Sequence, residues 1–263
     1  MFLEIDGVAI NYQWINKEYL TNNEPIIIFL HQGLGCIGQW NDFPIKLSGM
    51  LQIPALIYDR YGHGKSSGII EDKYSLDYLN KEAFFYLPKI IETLKITNSL
   101  ILYGHSDGGT IAMLYAANYF QKVKVVVTES AHVFNEPIVI KGIQNNILNF
   151  EHGNLKNQLE KYHGQNTDKL FYRWAKSWTD TNASKWNITD QIEKIETPVL
   201  AIQGDMDEYA STDQIKMISN SVSGFCKTYV IPDCGHFPHI NFKDKVLELS
   251  TTFINHVNYK SII

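Results

Sequence analysis

Along the chain, short runs of consecutive apolar residues are separated by stretches in which apolar positions recur at helical spacing. The continuous runs are Ile26 to Leu30, Ala55 to Tyr58, Leu100 to Tyr103, Val123 to Val127, Val199 to Ile202 and Tyr229 to Ile231. A strand with one face in water alternates apolar and polar residues, whereas runs rich in β-branched residues without alternation suit strands buried on both faces, as in a parallel sheet. The opening segment differs. Phe2 to Trp14 partly alternates and carries Asp6-Gly7, a dipeptide suited to a tight hairpin turn, which predicts an antiparallel edge ribbon. Helical patterns lie between the runs: Tyr78 to Lys95, with Asp77 as its cap and Pro88 as a kink or break, Asp107 to Phe120, and Asn241 to His256. Strands alternating with helices imply right-handed βαβ crossovers, so the predicted class is α/β, with a doubly wound, mostly parallel sheet of about eight strands.

One stretch interrupts this rhythm. From Asn135 to Asp190 no strand pattern appears, while polar residues mix with Phe150, Tyr162, Phe171, Tyr172, Trp174, Trp178 and Trp186. Because predicted sheet strands flank it, residues 135–190 read as a helical cap inserted in a core domain made of residues 1–134 and 191–263. At helical spacing its aromatic residues are first the cap's own core. They also suggest a partly apolar pocket. Arg173 is the only arginine in this stretch; it reads as a solvated or salt-bridged surface residue, unless a substrate carboxylate requires a cation.

Composition narrows the partners rather than the fold. Of 263 residues, 44% are hydrophobic and 19% charged, ordinary values for a globular chain long enough to bury a full core. A net charge of −5 with scattered Lys and Arg argues against nucleic acid, which selects a clustered basic face. Met1 is followed by no basic n-region and no apolar run of membrane length, so a cytoplasmic protein without a membrane partner is expected. Cys36, Cys226 and Cys234 are odd in number and lack CxxC spacing, which predicts reduced thiols and no metal site. The oligomeric state is not legible.

The strongest local signal is Gly104-His105-Ser106-Asp107-Gly108-Gly109, placed directly after an apolar run and at the start of a helical pattern. A G-x-S-x-G between strand and helix makes a turn so tight that residues two before and two after the serine nearly touch, which glycine permits. Strain at Ser106 lifts its hydroxyl clear of the sheet, and the amides of the following helix, that of Asp107 first, point toward the same place. A serine hydroxyl is a weak nucleophile and needs a base held by an acid, which in this arrangement follow in the order acid, then histidine. Asp205, Asp207 and Glu208 all stand in the acidic loop after Val199 to Gly204, and spacing does not rank them. His236 follows the last predicted strand, in Pro232-Asp233-Cys234-Gly235-His236, where Gly235 frees the loop to aim an imidazole. His239 reads as a satisfied polar residue at a helix start.

Two other motifs need weighing. His31-Gln32-Gly33-Leu34-Gly35 follows the first buried run, and the N–H of Gly33 or Leu34 could be a second oxyanion donor; His31 itself reads as a loop buttress. The same segment spells Gly33-Leu34-Gly35-Cys36-Ile37-Gly38, a formal dinucleotide fingerprint with Asp59 about 20 residues on. That reading leaves Ser106, Asp207 and His236 as coincidences, and Pro44 makes a poor continuous helix start after Gly38. Gly62-His63-Gly64-Lys65-Ser66 offers Gly-Lys-Ser, but Asp59 stands where a P-loop needs its first glycine. No cofactor is therefore expected.

Together the His31 loop, the Asp59 to Ser66 turn, the Ser106 elbow, the Asp207 loop and His236 resemble the α/β-hydrolase superfamily over nearly the whole chain, and in detail a group of bacterial proteins described only as α/β-fold hydrolases. The resemblance implies a Ser106-Asp207-His236 triad, Asp207 being selected by the family pattern G-x-x-D from Gly204. It further implies an oxyanion hole from Asp107 with Gly33 or Leu34, and a structural role for the Asp59 to Ser66 turn. The activity implied is a carboxylesterase-like serine hydrolase acting on a small-molecule, partly apolar ester through an acyl-enzyme. Carbon-carbon bond hydrolysis and a non-catalytic ligand-binding member of the fold are the alternatives. Family members that use aspartate in place of the serine are disfavoured by Ser106.

Overall fold

The computed structural model describes residues 1–21, 24–68 and 75–260. Eight strands, β1 (Phe2–Ile5), β2 (Val8–Ile15), β3 (Ile26–Leu30), β4 (Ala55–Tyr58), β5 (Leu100–His105), β6 (Val123–Glu129), β7 (Val199–Gly204) and β8 (Cys226–Ile231), form one sheet in the order β1-β2-β4-β3-β5-β6-β7-β8. β1 and β2 pair antiparallel, as does β2 with β4; every pairing from β4 to β8 is parallel. The predicted class and sheet are thus those observed.

The apolar runs lack alternation because helices cover both faces. Ile26, Ile28, Leu30, Leu100 and Leu102 enter one core layer, and Ile27, Phe29, Ile101 and Tyr103 the other. The first layer is closed by α2 (Asp77–Lys81), α3 (Leu87–Thr93), α4 (Asp107–Asn118), α8 (Thr189–Ile192) and α9 (Asp213–Ser221); the second by α1 (Phe43–Leu51) and α11 (Lys243–Lys260). β8 begins three residues earlier than its apolar run: it is the sheet's edge, where Lys227 and Thr228 are exposed and the buried signature fades.

Four helix expectations need correction. Asp77 is not a cap but the first residue of α2, after Leu76. Pro88 neither breaks nor ends the helix at its own position. Instead the turn Glu82–Tyr86 widens to π geometry just before it, where the ring would meet the carbonyl four residues back, and the Leu87 N–H reaches the Glu82 carbonyl. Pro44 sits in the first turn of α1, where no N–H is needed, so the helix it was expected to spoil begins one residue before it. The chain from Gly38 is nonetheless discontinuous, since the 3₁₀ turn Ile37–Trp40 ends at Asn41 with φ 52°. The C-terminal pattern also divides, into α10 (Pro238–Asn241) and α11.

Between β6 and β7 the chain forms α5 (Pro137–His152), α6 (Leu155–His163) and α7 (Thr167–Thr179) before α8. Its two ends clasp each other: Asn135 N donates to Trp186 O at 3.0 Å and Ile188 N to Val133 O at 2.8 Å, around a Phe134–Asn187 bridge. Inside, Phe150 and Phe171 stack with centroids 3.8 Å apart. Among the described residues no helix is long and apolar enough to cross a membrane.

Phe29 is fully buried and meets Trp40, Phe43 and Tyr103 edge-on or tilted. Phe29→Ala should therefore lower unfolding free energy by about 3–5 kcal/mol, read from the urea midpoint, while a loss below about 1 kcal/mol would show that the layer collapses around the gap.

Candidate active site

Ser106 is the residue between β5 and α4, with φ 53° and ψ −118°. A non-glycine residue held there costs on the order of 1–3 kcal/mol, so the surroundings must over-determine it. They do so by close approach. A Cβ on Gly104 would lie 2.2 Å from the Gly108 carbonyl oxygen, and one on Gly108 would lie 1.9 Å from that of Leu30. Ser106 N donates to Glu129 O at 2.8 Å, and Ser106 O accepts from Gly109 and Thr110 N at 2.8 and 3.1 Å. The Asp107 N–H belongs to the helix's first turn, where backbone donors have no partner within the helix and the dipole favours negative charge.

Asp207 and His236 come together from the loops after β7 and β8. His236 Nδ1 donates to both oxygens of Asp207, at 2.8 and 2.9 Å, and the carboxylate also accepts from the Tyr209 and Ala210 amides. Of the three acids in this loop, Asp205 is exposed and Glu208 Oε2 takes only the His236 backbone N–H, at 3.2 Å. Burial opposes a charge on His236, but the Asp207 charge and hydrogen bond, helped by Glu208 and Asp107, outweigh it and raise the imidazole above its ordinary value. Burial likewise opposes ionisation of Asp207, and His236 outweighs it, holding the carboxyl below its usual range. With Nδ1 committed to Asp207, Nε2 is left as the basic atom. His105 Nε2 donates to the His236 carbonyl at 2.7 Å, and His239 closes on Glu129 Oε2 through its backbone N and Nδ1, at 2.8 and 3.0 Å.

The Gly33-Leu34 loop is gripped by two histidines that local patterns did not single out. His63 Nε2 lies 2.9 Å from Gly33 O. His163, on α6, accepts from Gly64 N at Nδ1 (2.9 Å) and donates from Nε2 to Leu34 O (3.1 Å). His31 bonds Gln32 O and accepts from Arg60 N at 3.0 Å, a buttress contact. The Asp59 carboxylate accepts from Asn11 Nδ2 and from the Ile37 and Lys65 amides, which pins the glycine turn of residues 59–66 beneath the loop. His63 lies inside a turn where only the glycines carried a signal. His163 had none.

Asp107 carries its own buried network. Its Oδ2 accepts from Tyr78 Oη at 2.6 Å and faces Arg60 at 3.6 Å, and Tyr78 Oη accepts from Trp178 Nε1 at 3.1 Å. Arg173 is not the surface residue expected: it lies over the Tyr61 and Tyr78 rings and lines a neighbouring cavity with Arg60 and Glu82. Burial lowers its pKa.

Ser106, Asp107, Gly33, Leu34 and His236 all line one cavity of about 500 Å³. Its far wall comes from α5, α6 and α7, with Val139, Ile143, Leu159, Trp174 and Trp178 as the apolar part. The aromatic residues of this stretch therefore divide: Phe150 and Phe171 form its core, while Trp174 and Trp178 face the cavity. His132 also lines it, with Nε2 donating to Tyr209 O at 3.0 Å and Nδ1 buried without a partner.

A family model described as alpha/beta hydrolase fold matches residues 25–150. A proline iminopeptidase of Thermoplasma volcanium is 23% identical over 96% of this chain and 95% of its own length. The putative lipase lip1 of Acinetobacter baumannii superposes with a TM-score of 0.82 at 16% identity, covering 99% of this chain and 92% of the other. MGS-M2, an alpha/beta hydrolase enzyme from a deep-sea metagenome library of the Medee basin, superposes at 0.78 with 19% identity over 97% of both chains.

Two outcomes follow from the titrating groups. Burial, reinforced at His31 and His63 by the Arg60 charge, holds the imidazoles of His31, His63, His105, His132 and His163 below the ordinary value. Each contributes stability that is complete above the unfolded-state pKa of about 6.5 and is lost as pH falls toward the folded value, because the unfolded chain then binds more protons. His236, with its raised pKa, acts in the opposite direction but is one against five. Urea midpoints should fall between pH 7.5 and pH 5; a flat profile would contradict the burial of these rings. Replacing Asp207 by Asn should lower the His236 imidazole pKa in an NMR titration, and an unchanged value would mean that Asp207 does not carry the shift.

Proposed function

For a chain that belongs to the α/β-hydrolase superfamily, we propose serine-hydrolase chemistry on a small, partly apolar ester, with Ser106 as nucleophile, His236 as general base and acid, and Asp207 as its orienting carboxylate. The observation that carries this reading is the two-oxygen grip of Asp207 on His236 Nδ1, at the wall of the cavity that Ser106 also lines. It fixes the imidazole tautomer and so supports His236 as the base in the cavity that the strained Ser106 also lines.

In the proposed sequence Ser106 Oγ attacks the substrate carbonyl carbon while its proton passes to His236 Nε2, and the imidazolium so formed is stabilised by Asp207. The carbonyl oxygen becomes an oxyanion held by the Asp107 amide and that of Gly33 or Leu34. Collapse expels the alcohol, which takes the proton from His236. Water then attacks the acyl-enzyme, giving its proton to the same nitrogen, and the second collapse releases the acid as the proton returns to Ser106. Residues 135–190 act in this reading as a cap that walls the acyl site and excludes water.

The lining favours an uncharged acyl group over an unblocked amino terminus. An aminopeptidase substrate would bring a cationic amine, yet the only acid among the described lining residues is Asp107, whose Oδ2 already accepts from Tyr78 and faces Arg60. A carbon-carbon hydrolase substrate with a carboxylate gains nothing from Arg173, which lines the neighbouring cavity, although the exposed Lys161 is among the lining of this one. Cys36, Cys226 and Cys234 are free thiols, which suits a reducing compartment such as the cytoplasm.

A fluorophosphonate should label the protein at Ser106, and p-nitrophenyl acetate should be hydrolysed; full hydrolysis by Ser106→Ala would overturn the assignment. Asp207→Asn should lower kcat by about 10³- to 10⁴-fold, because the imidazole loses its orienting acceptor and its imidazolium partner. A loss below tenfold would assign the acid's role elsewhere.

A further inference from the structure

The cavity wall contributed by α7 holds a donor with nothing to donate to. Trp174 and Trp178 stand one helical turn apart, and both line the cavity. Trp178 Nε1 is satisfied by Tyr78 Oη at 3.1 Å. Trp174 is half-buried, and among the described residues its Nε1 makes no hydrogen bond. An indole N–H can only donate, so it is free to bond whatever occupies the cavity, water or substrate.

Its position is defined by the oxyanion loop. A Cβ placed on Gly33 would lie 2.3 Å from Trp174 Nε1 and 2.5 Å from Cδ1, so the polar edge of the indole is pressed against the Gly33 backbone. The third neighbour of that point, Asp107 Oδ2 at 3.2 Å, is already engaged by Tyr78 and Arg60. A side chain at 33 would therefore displace the indole. The same constraint brings a side-chain donor from α7 against Gly33, in the cavity that Ser106 and Asp107 also line.

We propose that the Trp174 N–H donates to the substrate's carbonyl oxygen as it becomes the oxyanion, a third donor beside the amides of Asp107 and the Gly33-Leu34 loop. The proposal rests on the serine-hydrolase reading above. A donor aimed at developing charge strengthens in the transition state and adds little to binding of the neutral ester.

The test removes the N–H and keeps the ring. Trp174→Phe is compared with a protein carrying 3-benzothienylalanine at 174, in which sulfur replaces the N–H within a bicycle of the same shape. On p-nitrophenyl butyrate both should lose about 10- to 100-fold in kcat with KM within about twofold, and affinity for a trifluoromethyl ketone should weaken by the same factor. Unchanged kcat in the benzothienyl protein, whatever the phenylalanine variant does, assigns Trp174 to packing and overturns the proposal. So does a change confined to KM, or a kcat loss without weaker ketone binding. If the wild-type protein neither labels with fluorophosphonate nor turns over, the serine-hydrolase reading fails and this proposal with it; labelling and turnover with indifferent variants sink this proposal alone.

Discussion

The carboxyl edge of the sheet depends on how closely α4 approaches β3 and β5. At Gly104 and Gly108 backbone packs on backbone with no room for a methyl group, and the Leu30 carbonyl is the wall against which the helix start is pressed. That contact holds Ser106 in a conformation an isolated peptide would avoid, and it seats the first turn of α4 against the end of β3. Strain and seating have one cause. A helix seated even a methyl group further out would let Ser106 relax and would move the Asp107 amide away from Gly33.

A second constraint is electrostatic. The residue after Ser106 is an aspartate, so a carboxylate lies beside the space assigned to an oxyanion, and like charges there would oppose each other. Tyr78 and Arg60 counter it from below, and Trp178 in turn bonds Tyr78. The histidines around the cavity follow the same economy of charge. Five are kept neutral by burial and serve as fixed donors or acceptors for loop carbonyls and amides. Only His236, held by Asp207, is shifted toward the charged form.

The sheet was legible because strands buried on both faces leave continuous apolar runs, and the elbow because its glycines are demanded by local geometry. Asp207 and His236 were legible through their positions after strands, although ranking Asp207 over Asp205 took the family pattern rather than spacing. What could not be read was contact between distant segments. Tyr78 precedes its partner Asp107 by a whole strand, and His163 reaches Leu34 from the far side of the sheet order. Arg173 was misjudged because a lone arginine on a polar helix resembles a surface residue; the Tyr61 and Tyr78 rings that cover it are supplied by other segments. The π turn before Pro88 was missed because proline signals a disturbance without saying whether the backbone breaks or widens.

The clasp between Val133, Asn135, Trp186 and Ile188 has an evolutionary side. The helical segment leaves and rejoins the core at a single point, fastened by backbone hydrogen bonds, with the Asn135 amide adding bonds to the Trp178 and Ala183 carbonyls. Its length and sequence can therefore drift without pulling β6 and β7 out of register, since the sheet registers only the separation of the two ends. The helices that wall the cavity are thus tied to the core chain at one place, apart from the strand ends that carry Ser106, Asp207 and His236.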